Sequence, residues 1–171
     1  NLPKDPNVEG FVKAWGKLKG NVLNSFYLTI PATIFSAFLG SWNGYILSKW
    51  KFPGAAIIFT LIMFGMFIPH QSILIPLVQI LRAIGLYGSM PGLIITHVIY
   101  GIPITTLIFR NYYSGGPNEI IEASKIDGAG VFEIYFYVRL RIALPAFAVA
   151  SVYQSSSIWN DFLFALIVTQ S

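Results

Sequence analysis

Residues 20–48, "GNVLNSFYLTIPATIFSAFLGSWNGYILS", contain no Asp, Glu, Lys or Arg. A helix needs about 20 mostly apolar residues to cross a hydrocarbon core about 30 Å thick, so this run is long enough to span a bilayer. The same absence recurs from Phe52 to Leu81 and from Ala83 to Phe109. A fourth run, Ile142 to Asn160, continues past a single acid, Asp161, to the end of the chain. Spanning strands would be about 10 residues long with alternating lipid faces, a pattern these runs lack. The expected fold is an all-α integral membrane bundle with spans at residues 22–48, 55–81, 93–110 and 145–168.

Composition agrees. Hydrophobic residues make up 55% of the chain and charged residues 11%, against about 25% charged in soluble domains. The net charge of +4 is spread along the chain rather than gathered on one face, so no nucleic-acid partner is expected. With no cysteine, disulfides and thiolate metal sites are excluded, and His70 and His97 are too few for a metal cluster. No cofactor is expected. The approach to a phosphate-cradling loop, Gly10 through Gly16 and Lys17, has the wrong glycine spacing and no following Ser or Thr. The acids fall outside the apolar runs and the histidines inside or at their edges, which argues against a Ser, His and acid arrangement and against catalysis by this chain. The chain begins at Asn1 without a basic-then-apolar signal segment, and is expected to be a piece of a longer product or the ordered part of one.

Residues 1–20 are polar, with Phe11, Ala14, Trp15 and Leu18 at helical spacing. That suits a short amphipathic helix in the interface, or equally a solvated loop. In the first span Ser36, Gly40, Gly44 and Ser48 recur every fourth residue, a ladder of small side chains that lets helix backbones approach closely. Trp42, Tyr45 and Trp50 near Lys49 and Lys51 read as an aromatic belt. Pro69 and Pro76 in "PHQSILIP" predict a kink or a short re-entrant helix in the second span, and Pro103 a kink in the third. Non-helical backbone at membrane depth is tolerated against protein or a water-filled cavity, so residues 69–81 are a candidate part of a substrate path. His70, Gln71, Trp159, Asn160 and Asp161 are its candidate residues. An ionisable group within a span is a functional candidate; the alternatives are an interfacial position or interhelical packing for Asp161, and satisfied interhelical donors for His70 and His97.

The remaining feature is polar: "NEIIEASKIDGAG", Asn118 to Gly130. Pro117 suits a helix's first turn, Glu119 favours the positive end of the helix dipole, and Glu122 can pair with Lys125. Asp127 and Gly128 end that helix. A second short helix, Val131 to Leu140, then returns Phe132, Tyr135 and Phe136 toward the membrane. A helix of about two turns is marginal alone, so something must dock against it.

At these residues the chain resembles the cytoplasmic loop of binding-protein-dependent ABC importer permeases, the loop named after its Glu-Ala-Ala start. Glu122, Ala123 and Ser124 match the start, Asp127, Gly128 and Ala129 the centre, and Val138 and Leu140 the end, while Arg141 stands where the family's first proline falls and Pro145 matches its second. "NSFYLTIPATIFSAFLGSWNGYILSKWKFPG", "IPHQSILIPLVQILRAIGLYGS" and "WNDFLFALI" resemble the family's flanking helices and turns. The branch most like it imports sugars, as does the maltose transporter with its smaller permease subunit.

The resemblance implies a type I ABC importer transmembrane-domain-like bundle with four spans visible of an expected six, one span absent at each end. It implies a cytoplasmic coupling loop at 117–141, with Glu119, Glu122, Ala123, Ser124, Asp127, Gly128 and Ala129 contacting an ATPase. It also implies cytoplasmic ATP-binding subunits, a second permease subunit and an extracytoplasmic sugar-binding protein as partners, in a prokaryotic cell membrane. The loop would then be inside and residues 1–20 outside. Counting basic residues barely supports that orientation, with six inside (Lys49, Lys51, Arg110, Lys125, Arg139 and Arg141) and five outside (Lys4, Lys13, Lys17, Lys19 and Arg82). The alternative is a proton- or ion-coupled secondary transporter with His70, His97 and Asp161 as a relay.

Overall fold

The computed structural model describes residues 8–50, 52–116 and 119–169. Residues 1–7, Lys51, Pro117, Asn118, Gln170 and Ser171 lie outside these, and with them part of the expected external segment, one boundary lysine and the expected first turn of the loop helix. All regular structure among the described residues is helical. We number the elements α1 (Glu9–Lys49), α2 (Ala55–Phe64), α3 (Leu74–Ala83), α4 (Met90–Gly115), α5 (Glu119–Ile126), α6 (Val131–Ile142), α7 (Leu144–Trp159) and α8 (Leu163–Val168).

α1 runs unbroken through Gly16 and Gly20, where a separate interfacial helix was one expectation. Nothing between Trp15 and Asn21 stops a helix: there is no proline, and neither glycine has a positive φ. Among the described residues, α1 and α4 are the two single helices long and apolar enough to cross a membrane, and the two bent pairs would bring the spans to four. α1 and α4 pack side by side, and the ladder of small residues is the reason. A Cβ on Gly40 would lie 2.2 Å from Thr105 Oγ1, and one on Gly44 would lie 2.7 Å from the backbone nitrogen of Arg110. From the other side, a Cβ on Gly101 would lie 2.9 Å from Ser36 Cβ. Thr105 Oγ1 donates across the seam to Ser36 O at 3.0 Å.

The second apolar run breaks where the prolines predict. Ile68, immediately before Pro69, is extended, as a residue preceding proline prefers. Residues Ala55–Phe67 and His70–Ala83 meet at 101°, while Pro76 falls harmlessly in the first turn of α3. Pro103, by contrast, sits inside α4 without ending it. Ser89 starts α4, its hydroxyl accepting from Gly92 N–H at 3.2 Å.

The fourth run is interrupted too. α7 stops at Trp159, and Asp161 restarts the chain as α8 by accepting the Phe164 N–H at 3.0 Å. At its other end, α6 meets α7 at 75°. α6 contains a π-helical turn, Ile134–Arg139, and Arg141 lies in its exposed last turn. Pro145 occupies the first turn of α7, where its missing N–H costs nothing.

Two apolar clusters hold the bundle. One gathers Tyr45, Phe109, Tyr113, Ile121, Ile134 and Tyr135 at the loop end. The other gathers Leu28, Leu81, Leu93, Ile158, Phe164 and Val168 at the far end. Large apolar side chains face outward between them, among them Ile57, Leu61, Phe67 and Val152, as a surface wetted by lipid requires.

Candidate functional site

The loop end is built from α5 and α6. Ile121 is buried and fastens α5 to the loop-end cluster, while Glu119, Ile120, Glu122, Ala123, Ile126 and Asp127 stay exposed. The helix ends in a Schellman turn: Ala129 N–H reaches Ser124 O at 2.9 Å and Gly128 N–H reaches Lys125 O at 3.1 Å. Gly128 has φ +85, the left-handed conformation that glycine adopts without a Cβ penalty. α6 then starts at Gly130, whose N–H donates to the Glu133 carboxylate at 2.6 Å. The expected Glu122–Lys125 pair does not form. Lys125 Nζ lies instead 4.6 Å from the centre of the Trp50 ring, which fixes α5 to the end of α1.

A network of hydroxyls clamps this loop to α1 and α4. Ser41 Oγ sits 2.7 Å from Tyr113 OH and accepts from Tyr135 OH at 3.1 Å. Tyr45 OH donates to Val131 O at 3.2 Å, Tyr112 OH to Ile142 O at 2.7 Å, and Lys49 Nζ to Gly116 O at 3.2 Å. Trp42 stacks on Phe132 with ring centres 5.0 Å apart. Of the expected belt aromatics, Tyr45 is therefore internal, while Trp42 and Trp50 are half-buried. Tyr45 is fully buried, because its side of α1 faces α4 and α6 rather than lipid. Ser41→Ala would leave two buried tyrosine hydroxyls without their shared partner, at a cost of about 1–3 kcal/mol. A clear fall in the melting temperature of the purified protein is expected, and unchanged melting would show that the clamp contributes little.

The second site is a cavity of about 320 Å³ in the bundle. Four of its walls carry polar groups: His70 follows the α2 break, His97 and Tyr100 come from α4, Gln154, Ser157 and Asn160 from the end of α7, and Asp161 from the α7–α8 break. His97 Nε2 lies 3.6 Å from Asp161 Oδ2, both largely buried, and makes no hydrogen bond. Gln154 Nε2 donates to His97 O at 3.3 Å. The rings of His70, Tyr100 and Phe164 meet one another at 4.8–5.1 Å.

Of the candidate path residues, His70, Asn160 and Asp161 come together here and two do not. Trp159 points away and packs edge-on against Phe26 at 5.2 Å. Gln71 is exposed and lines no part of the cavity. The sequence placed His97 and Asp161 together only in the alternative relay, and the break after Trp159 folds Asp161 back onto His97. Gln154 and Ser157 were not singled out, although residues 154, 157 and 161 fall at helical spacing and signal one polar face. Among the described residues no group of three or more His, Cys, Asp or Glu could hold a metal ion.

Fold and site together define an integral membrane helical bundle with a polar cavity and an exposed loop helix. Residues 36–171 match the family of binding-protein-dependent transport system inner membrane components, and the chain belongs to that family. A "Probable ABC transporter permease protein" of Pyrococcus horikoshii is 54% identical over 110 residues, covering 64% of this chain and 40% of the relative. The xylose/arabinose import permease protein of Haloferax volcanii is 37% identical over 196 residues, covering all of this chain and 63% of its own length. The chain thus spans about half the length of the curated relatives it matches. A bacterial ABC transporter involved in the import of the acidic polysaccharide alginate has a chain of like fold, with a TM-score of 0.75 and 24% identity over 87% of this chain and 52% of that one.

Proposed function

We propose that this chain is the membrane-spanning permease subunit of an ATP-driven sugar importer, multi-pass in a prokaryotic inner or plasma membrane. It forms part of the translocation path and performs no chemistry itself; ATP is hydrolysed in cytoplasmic partner subunits. A second permease subunit and an extracytoplasmic sugar-binding protein complete the assembly. Residues 22–48, 55–81, 93–110 and 145–168 make its spans, and 117–141 its cytoplasmic coupling loop.

One observation carries this reading beyond the family match. α5 is held on one side by Ile121 and Lys125 and leaves Glu119, Glu122, Ala123 and Asp127 exposed on a rigidly capped turn. Such a helix suits a cleft on an ATPase subunit, with Glu122 meeting a basic group there, Ser124 and Ala129 closing the turn, and Gly128 keeping it tight. The test is ligand-dependent stimulation of ATP hydrolysis by the whole assembly across a panel of sugars. Stimulation by none of them would defeat the import reading.

The buried His97–Asp161 approach beside His70 favours a second reading, a proton- or ion-coupled secondary transporter. Uptake that persists without any ATPase partner and collapses with the proton gradient would select it.

A further inference from the structure

α6 carries an outer face that neither the loop-end cluster nor α5 covers. Phe132, Phe136 and Tyr137 are exposed along it, and Arg141, four residues after Tyr137, is exposed too. Its inner side, Ile134, Tyr135 and Arg139, is buried. The π-helical turn Ile134–Arg139 helps to make that division, because residues five apart in such a turn share a face, which draws Arg139 inward with Ile134. Among the described residues the Arg141 guanidinium has no hydrogen-bond or ion-pair partner. Glu133, the one acid on α6, accepts the Gly130 N–H instead.

Depth decides what meets this face. Phe136 lies against Phe38 of α1 with ring centres 6.3 Å apart, and Phe132 stacks on Trp42. At about 1.5 Å per residue, Phe38 is about 16 Å along α1 from its end at Lys49, well inside the charge-free run. Ile34, Phe35 and Phe38 expose their side chains on that stretch of α1, so the lipid-wetted surface of the span continues onto α6. The 75° bend from α7 sets α6 closer to the membrane plane than to the spans. Aromatic rings on one face and a cation at the end are what a helix lying in the interface needs. A water-soluble partner is a poorer fit, because these rings meet α1 well short of its polar end.

We infer that the outer face of α6 docks on anionic phospholipid in the leaflet on the loop side, with its three aromatic rings among the upper acyl chains and Arg141 against the lipid phosphate. Such docking requires that the bundle sit in a membrane, and it holds whether or not the assembly imports sugar. An arginine fork presents paired N–H donors to phosphate oxygens. Its charge is best met by a lipid whose phosphate is not already balanced by choline. Near an anionic surface one basic side chain strengthens binding about fivefold, and salt weakens the attraction. Arg141 also suits the negative end of the α6 dipole, but that role is indifferent to the charge of the headgroup.

The test takes the full-length protein in its assembled transporter, in detergent, with Leu144→Cys carrying a bimane fluorophore and any cysteines of the other subunits replaced. The sequence here has no cysteine of its own, and Leu144 is exposed one turn beyond Arg141. Phosphatidylglycerol and phosphatidylcholine, each brominated in its acyl chains, are titrated against the fluorescence. At low salt phosphatidylglycerol should quench with a midpoint about fivefold below that of phosphatidylcholine, and high salt should shrink the difference. Arg141→Gln should bring the two midpoints together with the melting temperature unchanged. Arg141→Lys, which keeps the charge, should retain most of the preference, and Tyr137→Ser should weaken both lipids alike. Equal midpoints in the unmutated face, or a preference that survives Arg141→Gln, overturns the inference. Fluorescence that neither lipid quenches also overturns it, and is the result expected if a protein subunit covers α6.

Discussion

Assemblies carrying Gly128→Leu should insert into the membrane yet hydrolyse ATP no faster with sugar-loaded binding protein than without it. In the isolated chain a Cβ at Gly128 meets nothing within 4 Å, so bulk is not the difficulty. The φ of +85 is, since a side chain in the left-handed region costs about 1–2 kcal/mol. That strain falls on the turn joining α5 to α6. The Schellman bonds from Gly128 and Ala129 would loosen, leaving α5 tethered by Ile121 and Lys125 alone. Moving a two-state protein from 1:99 to 99:1 takes about 5.5 kcal/mol of differential interaction, and a frayed turn cannot deliver it. Glu122→Lys should have the same effect by another route, reversing the charge on an exposed docking face without touching the turn. Stimulation at the wild-type level in both variants would remove the coupling role from this loop.

The second large effect concerns the α1–α4 seam. Gly40→Leu should abolish recovery of monodisperse protein, and Gly44→Leu should behave alike. A Cβ at Gly40 would already lie 2.8 Å from the Thr105 carbonyl carbon, and one at Gly44 would lie 2.9 Å from that of Phe109. Those obstacles are backbone, so no side-chain rotation relieves them. Overpacking ordinarily costs about 1–3 kcal/mol, and this seam, which also carries the Thr105–Ser36 bond, should exceed it. Gly20→Leu, on the same helix with nothing within 4 Å of its Cβ, is the control and should melt like the wild type. Matching melting temperatures for Gly40→Leu and Gly20→Leu would refute the seam.

Much of this was legible in the sequence where a single helix face carries the information. The ladder at Ser36, Gly40 and Gly44 fixes its own spacing, and Asp127-Gly128 names its own stop. Tertiary packing decided the rest. Trp42 and Tyr45 beside a lysine look alike whether they face headgroups or an opposing loop, since both settings want an apolar ring with a polar tip. Trp159 and Asp161 are neighbours in sequence, but residues two apart on a helix do not face each other, and the break after Trp159 turns them further apart. His97 and Asp161 meet only because that break exists. Nothing in the span marks the break itself beyond Asn160 and Asp161.

Under the proposed coupling, the 75° bend between α6 and α7 would make the loop a crank rather than a piston. A rod driven end-on can only slide, whereas one driven through an arm set nearly at right angles turns about its own length. The arm is bonded to α1 through Tyr45 and Tyr135 and to α4 through Tyr112, so under the proposed coupling a push on α5 would turn α6 together with those helices. An α7 turning with it would carry Gln154 and Ser157 sideways around the cavity wall. The set of side chains facing the cavity can then change while every helix keeps its length.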